Sequence, residues 1–371
     1  MPITNHNKIK IFFLLSFVFI IFSNNFFNYD DSILYGQTDG MTYLKIAEAA
    51  PHFSLEKLPY HKAQRFVLPY LIGLTSNYFN IDAYKLFGAL SFCIIALILF
   101  LFRKIFDKFK TEINHQIFLF SLIIFNPYIV RYYLSVPLMI NDLLFLLSGT
   151  LIIFSFIQCN KWLLFLSLGL SAISRLESIF FILALIIGKI IYKKKYQFSL
   201  SSVAVSAVIF LSIFLLNSFH ANTVGSGGVG ALALVDRFGL FILNYSLKQL
   251  LFFLFLPTIN FLPLFFIFIF FEKNFLTYKK DNLFIFSIIV VLIIATVPLI
   301  SGPIATGKNI IRLINLSYPF IIYIFYKMFV IKKNPSLIKK TIFIFFMLMW
   351  SSHPTYSKIN LFSELSKIFS N

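Results

Sequence analysis

Apolar runs close to the length of a bilayer-crossing helix, separated by short polar segments, make up most of this chain. A helix needs about 20 apolar residues to cross a hydrocarbon core, with about 17–25 the usual range. Runs that fit or approach that length lie at 11–28, 86–102, 116–130, 143–157, 162–173, 178–188, 198–217, 249–271, 283–301, 313–326 and 341–356. The pattern predicts an all-α polytopic membrane protein of about 11 transmembrane helices, a single transmembrane domain over 1–371. The pair 162–173 and 178–188 reads either as two helices closing on a turn at Ser174-Arg175-Leu176-Glu177 or as one longer helix. The first run follows Lys8 and Lys10 like a signal peptide but lacks a small-residue cleavage site, so it reads as a retained helix.

The longest polar stretch is 29–85, expected to be a structured first loop with interfacial helices. A turn signal at Gly36-Gln37-Thr38-Asp39-Gly40 precedes a segment with apolar residues at 41, 44, 47 and 50 and a stop at Pro51. That spacing predicts an amphipathic helix on the membrane surface. The apolar stretch 66–79 carries a Pro and a Gly and is too short to span, which predicts an interfacial or re-entrant helix.

Composition agrees with the pattern and excludes a soluble fold. The 371 residues are 59% hydrophobic and 12% charged, against about 45–50% and about 25% in soluble domains. Mean hydropathy is +0.87, and the heavy use of Phe, Ile, Lys and Asn fits an AT-rich bacterial genome. The net charge of +18 would suggest nucleic acid in a soluble protein, but in a membrane protein basic residues collect in cytoplasmic loops. Eleven spans with the N-terminus inside place 19 of the 32 Lys and Arg in the shorter, inside segments 1–10, 103–115, 158–161, 189–197, 272–282 and 327–340. The resulting density is about threefold that of the outside segments, so the expectation is a cytoplasmic N-terminus. Ten of the 14 acids fall on the other side, which points to polar chemistry on the outer face. Cys93 and Cys159 have neither metal-ligand nor disulfide-framework spacing and read as packing residues.

Asp39 is the residue that carries candidate chemistry. It sits where a helix N-cap belongs, its oxygen accepting a backbone N–H. A carboxylate at that place also suits a general base for an attacking hydroxyl. The two readings are compatible. Asp30-Asp31 reads as solvated interface charge, and the scattered histidines lack metal-ligand spacing. Gly225-Ser226-Gly227-Gly228-Val229-Gly230 is glycine-rich without a following P-loop Lys-Ser/Thr.

Asp39-Gly40-x-x-Tyr43 after the first helix, followed by Arg65-x-x-x-Pro69, resembles the first outer loop of GT-C-type polytopic membrane glycosyltransferases, which use polyprenyl-phosphate-linked sugars and include mannosyltransferases. Asn126-Pro127-Tyr128 through Ser135 to Asn141-Asp142, the turn Ser174-Arg175-Leu176-Glu177, and Asn309-Ile310-Ile311-Arg312 with Ser317-Tyr318-Pro319 are similar to later parts of that family, in order and on one face. The resemblance implies an inverting enzyme in a bacterial cytoplasmic membrane, with Asp39 as catalytic base and no cofactor or metal. It implies transfer of a sugar from a polyprenyl-phosphate donor to a cell-envelope lipid, glycan or protein acceptor on the extracytoplasmic face. A C-terminal soluble domain, which larger members use toward acceptors, is not expected here.

A donor phosphate in a low-dielectric cleft calls for fixed cations, and the planar fork of Arg suits phosphate oxygens. Arg175, Arg312, Lys308 and Arg131 are the candidate phosphate ligands, each with the alternative of snorkelling to headgroups. Tyr43, His61, Arg65, Asp142 and Glu177 are the candidates for the substrate pocket. Two other classes stand beside the enzyme: a transporter or flippase of lipid-linked glycans, which should show repeats and mid-membrane polar residues, and a non-catalytic assembly partner.

Overall fold

A computed structural model describes residues 5–24, 39–192, 196–226, 281–306 and 310–327, with 336, 338 and 341 as isolated positions. The protein is an all-α membrane-associated chain, its helices joined by one two-residue parallel bridge between β1 (Leu58–Pro59) and β2 (Gly225–Ser226). The helices in chain order are α1 (Asn5–Asn24), α2 (Asp39–Ala49), α3 (Tyr60–Ala63), α4 (Val67–Phe79), α5 (Ala83–Lys108), α6 (Ile113–Ile124) and α7 (Tyr132–Ser135). They continue with α8 (Ile140–Gln158), α9 (Lys161–Ser174), α10 (Ile179–Tyr192), α11 (Leu200–Val224), α12 (Asn282–Thr306), α13 (Ile310–Asn315) and α14 (Tyr318–Phe325).

Among the described residues three helical stretches are long and apolar enough to cross a membrane: 83–108, 137–158 and 200–224. A fourth arises if α6 and the segment 128–135, bent by 47°, count as one span. This is fewer than the eleven expected. The expected span at 249–271, and that at 341–356 beyond its first residue, lie outside the described residues. Others are interrupted, because an apolar run does not measure an unbroken helix. Asn126 takes an extended conformation, its side chain accepting the Tyr128 N–H at 2.9 Å, since Pro127 lacks an N–H and disfavours helix at the residue before it. A π turn, Pro127–Arg131, then leads into α7. The run 313–326 is likewise cut at Leu316-Ser317, between α13 and α14.

The 162–188 region is two helices of 14 residues each, not one. Asn160 caps α9 by accepting the Trp162 and Leu163 N–H groups. The chain then reaches Arg175, whose extended backbone ends the helix, and a 3₁₀ turn at Leu176–Ser178 starts the return through α10. Tyr196 and Phe198 arrive against Phe156, at the end of α8 from which α9 departed. The hairpin therefore returns to the end of the bundle from which it set out.

Side-chain contacts sort the helix ends into two sets. One, the loop end, gathers residues 39–82, 126–142, 172–178, 217–226 and 312–315. The opposite end gathers 103–116, 156–162, 192–199, 281–286 and 323–327. Between them the core is aromatic and aliphatic, as in the stacked Phe145–Phe181 pair at 4.8 Å. Helix α8 runs through its middle, packed along α5 and α9.

Helix α2, expected to be amphipathic, is covered by protein on most of its surface. Gly40, Thr42, Tyr43, Leu44, Ile46 and Ala47 are all buried, leaving Lys45 and Glu48 outward. Helix α4 and the 3₁₀ turn Pro137–Met139 pack against it. The approach to α4 is tight: a β-carbon at Gly73 would overlap the Ala47 carbonyl. Glycine is what lets the two loop helices touch backbone to backbone.

Candidate functional site

At the loop end, side chains from five separate parts of the chain converge on a charged cluster. Helix α2 begins at Asp39 and carries Tyr43 one turn on. The short α3 supplies Lys62, and Arg65 follows it. Helix α8 begins with Asn141 and Asp142; the α9–α10 turn contributes Arg175 and Glu177; α13 contributes Arg312.

Asp142 is fully buried and lies against both Arg175 Nη1, a close ion pair, and Arg312 Nε at 3.4 Å. Arg175, itself 2% exposed, also donates from Nε to Glu177 at 3.1 Å. Arg65 Nη2 lies 3.6 Å from Glu177, and its Nη1 donates to the Tyr43 hydroxyl at 3.2 Å. At the rim, the two oxygens of Asp39 go to different cations, Lys62 Nζ and Arg312 Nη2, each at 3.1 Å. Arg312 Nη1 also donates to the Tyr132 hydroxyl at 3.4 Å. The polar shell holds this arrangement in place: the Asn141 amide donates to the Arg65 carbonyl at 3.1 Å. The His220 Nδ1–H donates to the Ala63 carbonyl at 2.8 Å while its ring stacks on Phe66.

Two properties of the cluster matter chemically. Among the described residues, four cations (Lys62, Arg65, Arg175, Arg312) meet three carboxylates (Asp39, Asp142, Glu177), leaving one positive charge in excess. Among the described residues Arg65 Nε is buried without a hydrogen-bond acceptor, and Arg312 Nε has only its 3.4 Å ion pair with Asp142, a costly condition for a charged donor. The cluster is thus arranged to take a further anion.

Titration follows from the same charges. Burial by itself would raise the Asp39 carboxyl, but Arg312, Arg65 and Lys62 outweigh it and hold it far below the usual carboxylate range. Burial also works against Glu177, and Arg175 and Arg65 overcome it, bringing the carboxyl down to about 2. His61, on the half-open rim beside Lys62, is pushed down by burial and then by Arg65, and stays neutral near pH 7. Burial raises the Tyr43 hydroxyl, so it remains protonated.

The structure brings together Asp39, Tyr43, Arg65, Asp142, Arg175, Glu177 and Arg312, with His61 at the edge. Lys308 lies outside the described residues. Arg131 is buried in the adjoining π turn, and its neighbour Tyr132 is what reaches Arg312. Arg175, a candidate phosphate ligand in the sequence, pairs with Asp142 and Glu177 and ties the hairpin to α8. Lys62 takes the position on the rim, and nothing singled it out in the sequence beyond its place three residues before Arg65. Among the described residues, no three His, Cys, Asp or Glu side chains converge as metal ligands. Comparison of the chain with protein-family models, with curated proteins and with solved structures finds no match in any of the three.

Proposed function

We propose that the chain is an inverting glycosyltransferase of a bacterial cytoplasmic membrane, taking its sugar from a polyprenyl-phosphate donor. The loop end is the extracytoplasmic, catalytic end, the N-terminus is cytoplasmic, and the acceptor is a cell-envelope lipid, glycan or protein. The chain is GT-C-like in this reading. The observation that carries it is Asp39: a carboxylate 20% exposed at the rim of a buried, cation-rich cluster, with guanidinium groups behind it.

Depth supports the same reading. Helix α9 has 14 residues, about 21 Å at 1.5 Å per residue, against about 30 Å for a hydrocarbon core. With Lys161 at the opposite interface, Arg175 at its tip would lie within the bilayer thickness, covered by protein. Charges at such depth that face a bundle interior belong to function or to pairing, and a lipid-borne phosphate is the anion delivered to that level by its own tail. Arg312 and Lys62 hold the phosphate, Arg175 and Asp142 fix Arg312, and Tyr43 and Arg65 shape the pocket. Asp39 accepts the proton of the acceptor hydroxyl as it attacks the anomeric carbon; the carbon–oxygen bond to phosphate breaks, and its electron pair leaves on the phosphate.

The transporter reading finds less support. Mid-bundle hydroxyls, such as Ser148, Thr150, Ser155 and Ser167, bond to carbonyls of their own helices, so the described core offers them as helix-satisfied groups and not as a polar path. The test is sugar transfer from a panel of polyprenyl-phosphate-linked donors by the purified protein and its Asp39→Asn variant. Loss of about 10²–10⁴ in turnover is expected for removal of a general base. Undiminished transfer by a folded Asp39→Asn protein would eliminate Asp39 from that role.

A further inference from the structure

We propose that a substrate phosphodiester exchanges with the Asp39 carboxylate at Lys62 and Arg312, so that binding the donor is what frees the base. The inference rests on the glycosyltransferase reading above and adds to it a control step: an exposed carboxylate that guards its own cation site.

The geometry points to exchange at this place and no deeper. Asp39 bridges two cations with one oxygen each, both at 3.1 Å, and the Asp39 and Lys62 side chains are 20% and 18% exposed. The Asp142–Arg175 pair behind them is 0% and 2% exposed and cannot be reached without opening the bundle. Arg312, 7% exposed, is the residue both layers share. An incoming anion therefore meets Lys62 and the outer edge of Arg312 first, where Asp39 already lies. A phosphodiester is a larger anion than a carboxylate and offers more acceptor oxygens. It can satisfy both cations and still have acceptor oxygens to spare. The carboxylate satisfies only one donor per oxygen.

Charge accounting agrees. With four cations and three carboxylates the cluster carries one positive charge, and a phosphodiester carries one negative charge. On transfer, the acceptor proton moves to Asp39, raising the cluster charge by one, while the departing phosphate becomes a monoester and gains one negative charge. The sum stays at zero before and after the bond change, which is the favourable condition in a medium where net charge is poorly solvated. Exchange also resolves a conflict in the base role. Held by two cations, the carboxylate has little affinity for a proton; once they turn to phosphate, that affinity rises where an acceptor hydroxyl needs it. Hydrolysis by stray water is disfavoured until the donor is seated.

The experiment is calorimetric titration of the purified full chain with farnesyl methyl phosphate, a monoanionic prenyl diester, with inorganic phosphate as competitor. Asp39→Asn removes the resident competitor and should bind the diester about tenfold tighter, and Lys62→Gln should bind it about tenfold weaker, each about 1.4 kcal/mol. Unchanged or weaker binding by Asp39→Asn, or unchanged binding by Lys62→Gln, overturns the proposal. Displacement of the diester by inorganic phosphate supports recognition of the phosphate group; no displacement places the affinity on the prenyl chain and overturns the exchange. Affinity and turnover separate the two ideas. An Asp39→Asn protein that gains affinity yet keeps transferring sugar retains the exchange and loses the base. One that loses transfer without gaining affinity retains the base and loses the exchange.

Discussion

At the end of the bundle opposite the loop, two cations each have a carboxylate of their own: Lys327 pairs with Asp281 at 3.1 Å and Arg103 with Asp107 at 3.1 Å, with side chains 19–45% exposed. At the loop end the carboxylates are shared, Asp39 by Lys62 and Arg312, Asp142 by Arg175 and Arg312, Glu177 by Arg175 and Arg65. The first arrangement fastens helix ends. Lys327 also lies over the rings of Phe109 and Tyr323, and Gln116 bonds both partners of the Arg103–Asp107 pair. Such half-open pairs contribute about 0–1 kcal/mol each. The second arrangement is one that stability alone does not favour, because desolvating that many charges can cost more than their attraction returns. A buried network with a cation in excess is better understood as a site held ready for an anion.

Substitutions at the two ends should separate these roles. Asp142→Asn leaves Arg175 and Arg312 buried with too little countercharge and should lower unfolding stability by about 3–5 kcal/mol, read by chemical denaturation in detergent. A loss under 1 kcal/mol would make the two ends equivalent and remove the contrast. Acid should act next, and unequally. Glu177 has a carboxyl at about 2 in the folded chain against an ordinary value of 4.5. A depressed carboxyl contributes stability that is full above 4.5 and is lost as pH falls toward 2. The slope of unfolding free energy against pH over that window should shrink in Glu177→Gln; an unchanged slope would deny the pairing with Arg175 and Arg65. The smallest effect is expected at the far end, where Asp107→Asn should cost about 0.2–1 kcal/mol and leave sugar transfer unaltered.

How much of this was legible depends on the range of the interaction. Ile140–Gln158 and Leu200–Val224 could be read from apolar runs, since their length is a local property. The interruption at Asn126-Pro127 was written in the proline, yet the run 116–130 masked it because its side chains are apolar on both sides of the break. The α9–α10 hairpin had two readings in sequence. Its choice came from Tyr196 and Phe198 packing on Phe156, a contact about 40 residues away in the chain. Helix α2 was read as a surface helix from spacing at 41, 44, 47 and 50, but Gly73 admits α4 so closely that its other side is covered as well. For the site, Asp39, Arg65, Asp142, Arg175 and Arg312 were visible as ionisable residues near helix ends. Lys62 was not, because a lysine in a polar loop looks like any solvated charge until its partner is known.

The amino-acid order by itself determined that this chain is helical and membrane-associated, since apolar content and run length act through the solvent and need no knowledge of neighbours. It also determined that acids and arginines cluster near certain helix ends. Which cation faces which carboxylate was decided only by the fold, because Asp39 and Arg312 stand 273 residues apart. An ion pair's strength depends on distance and burial, and both exist only once the helices have packed.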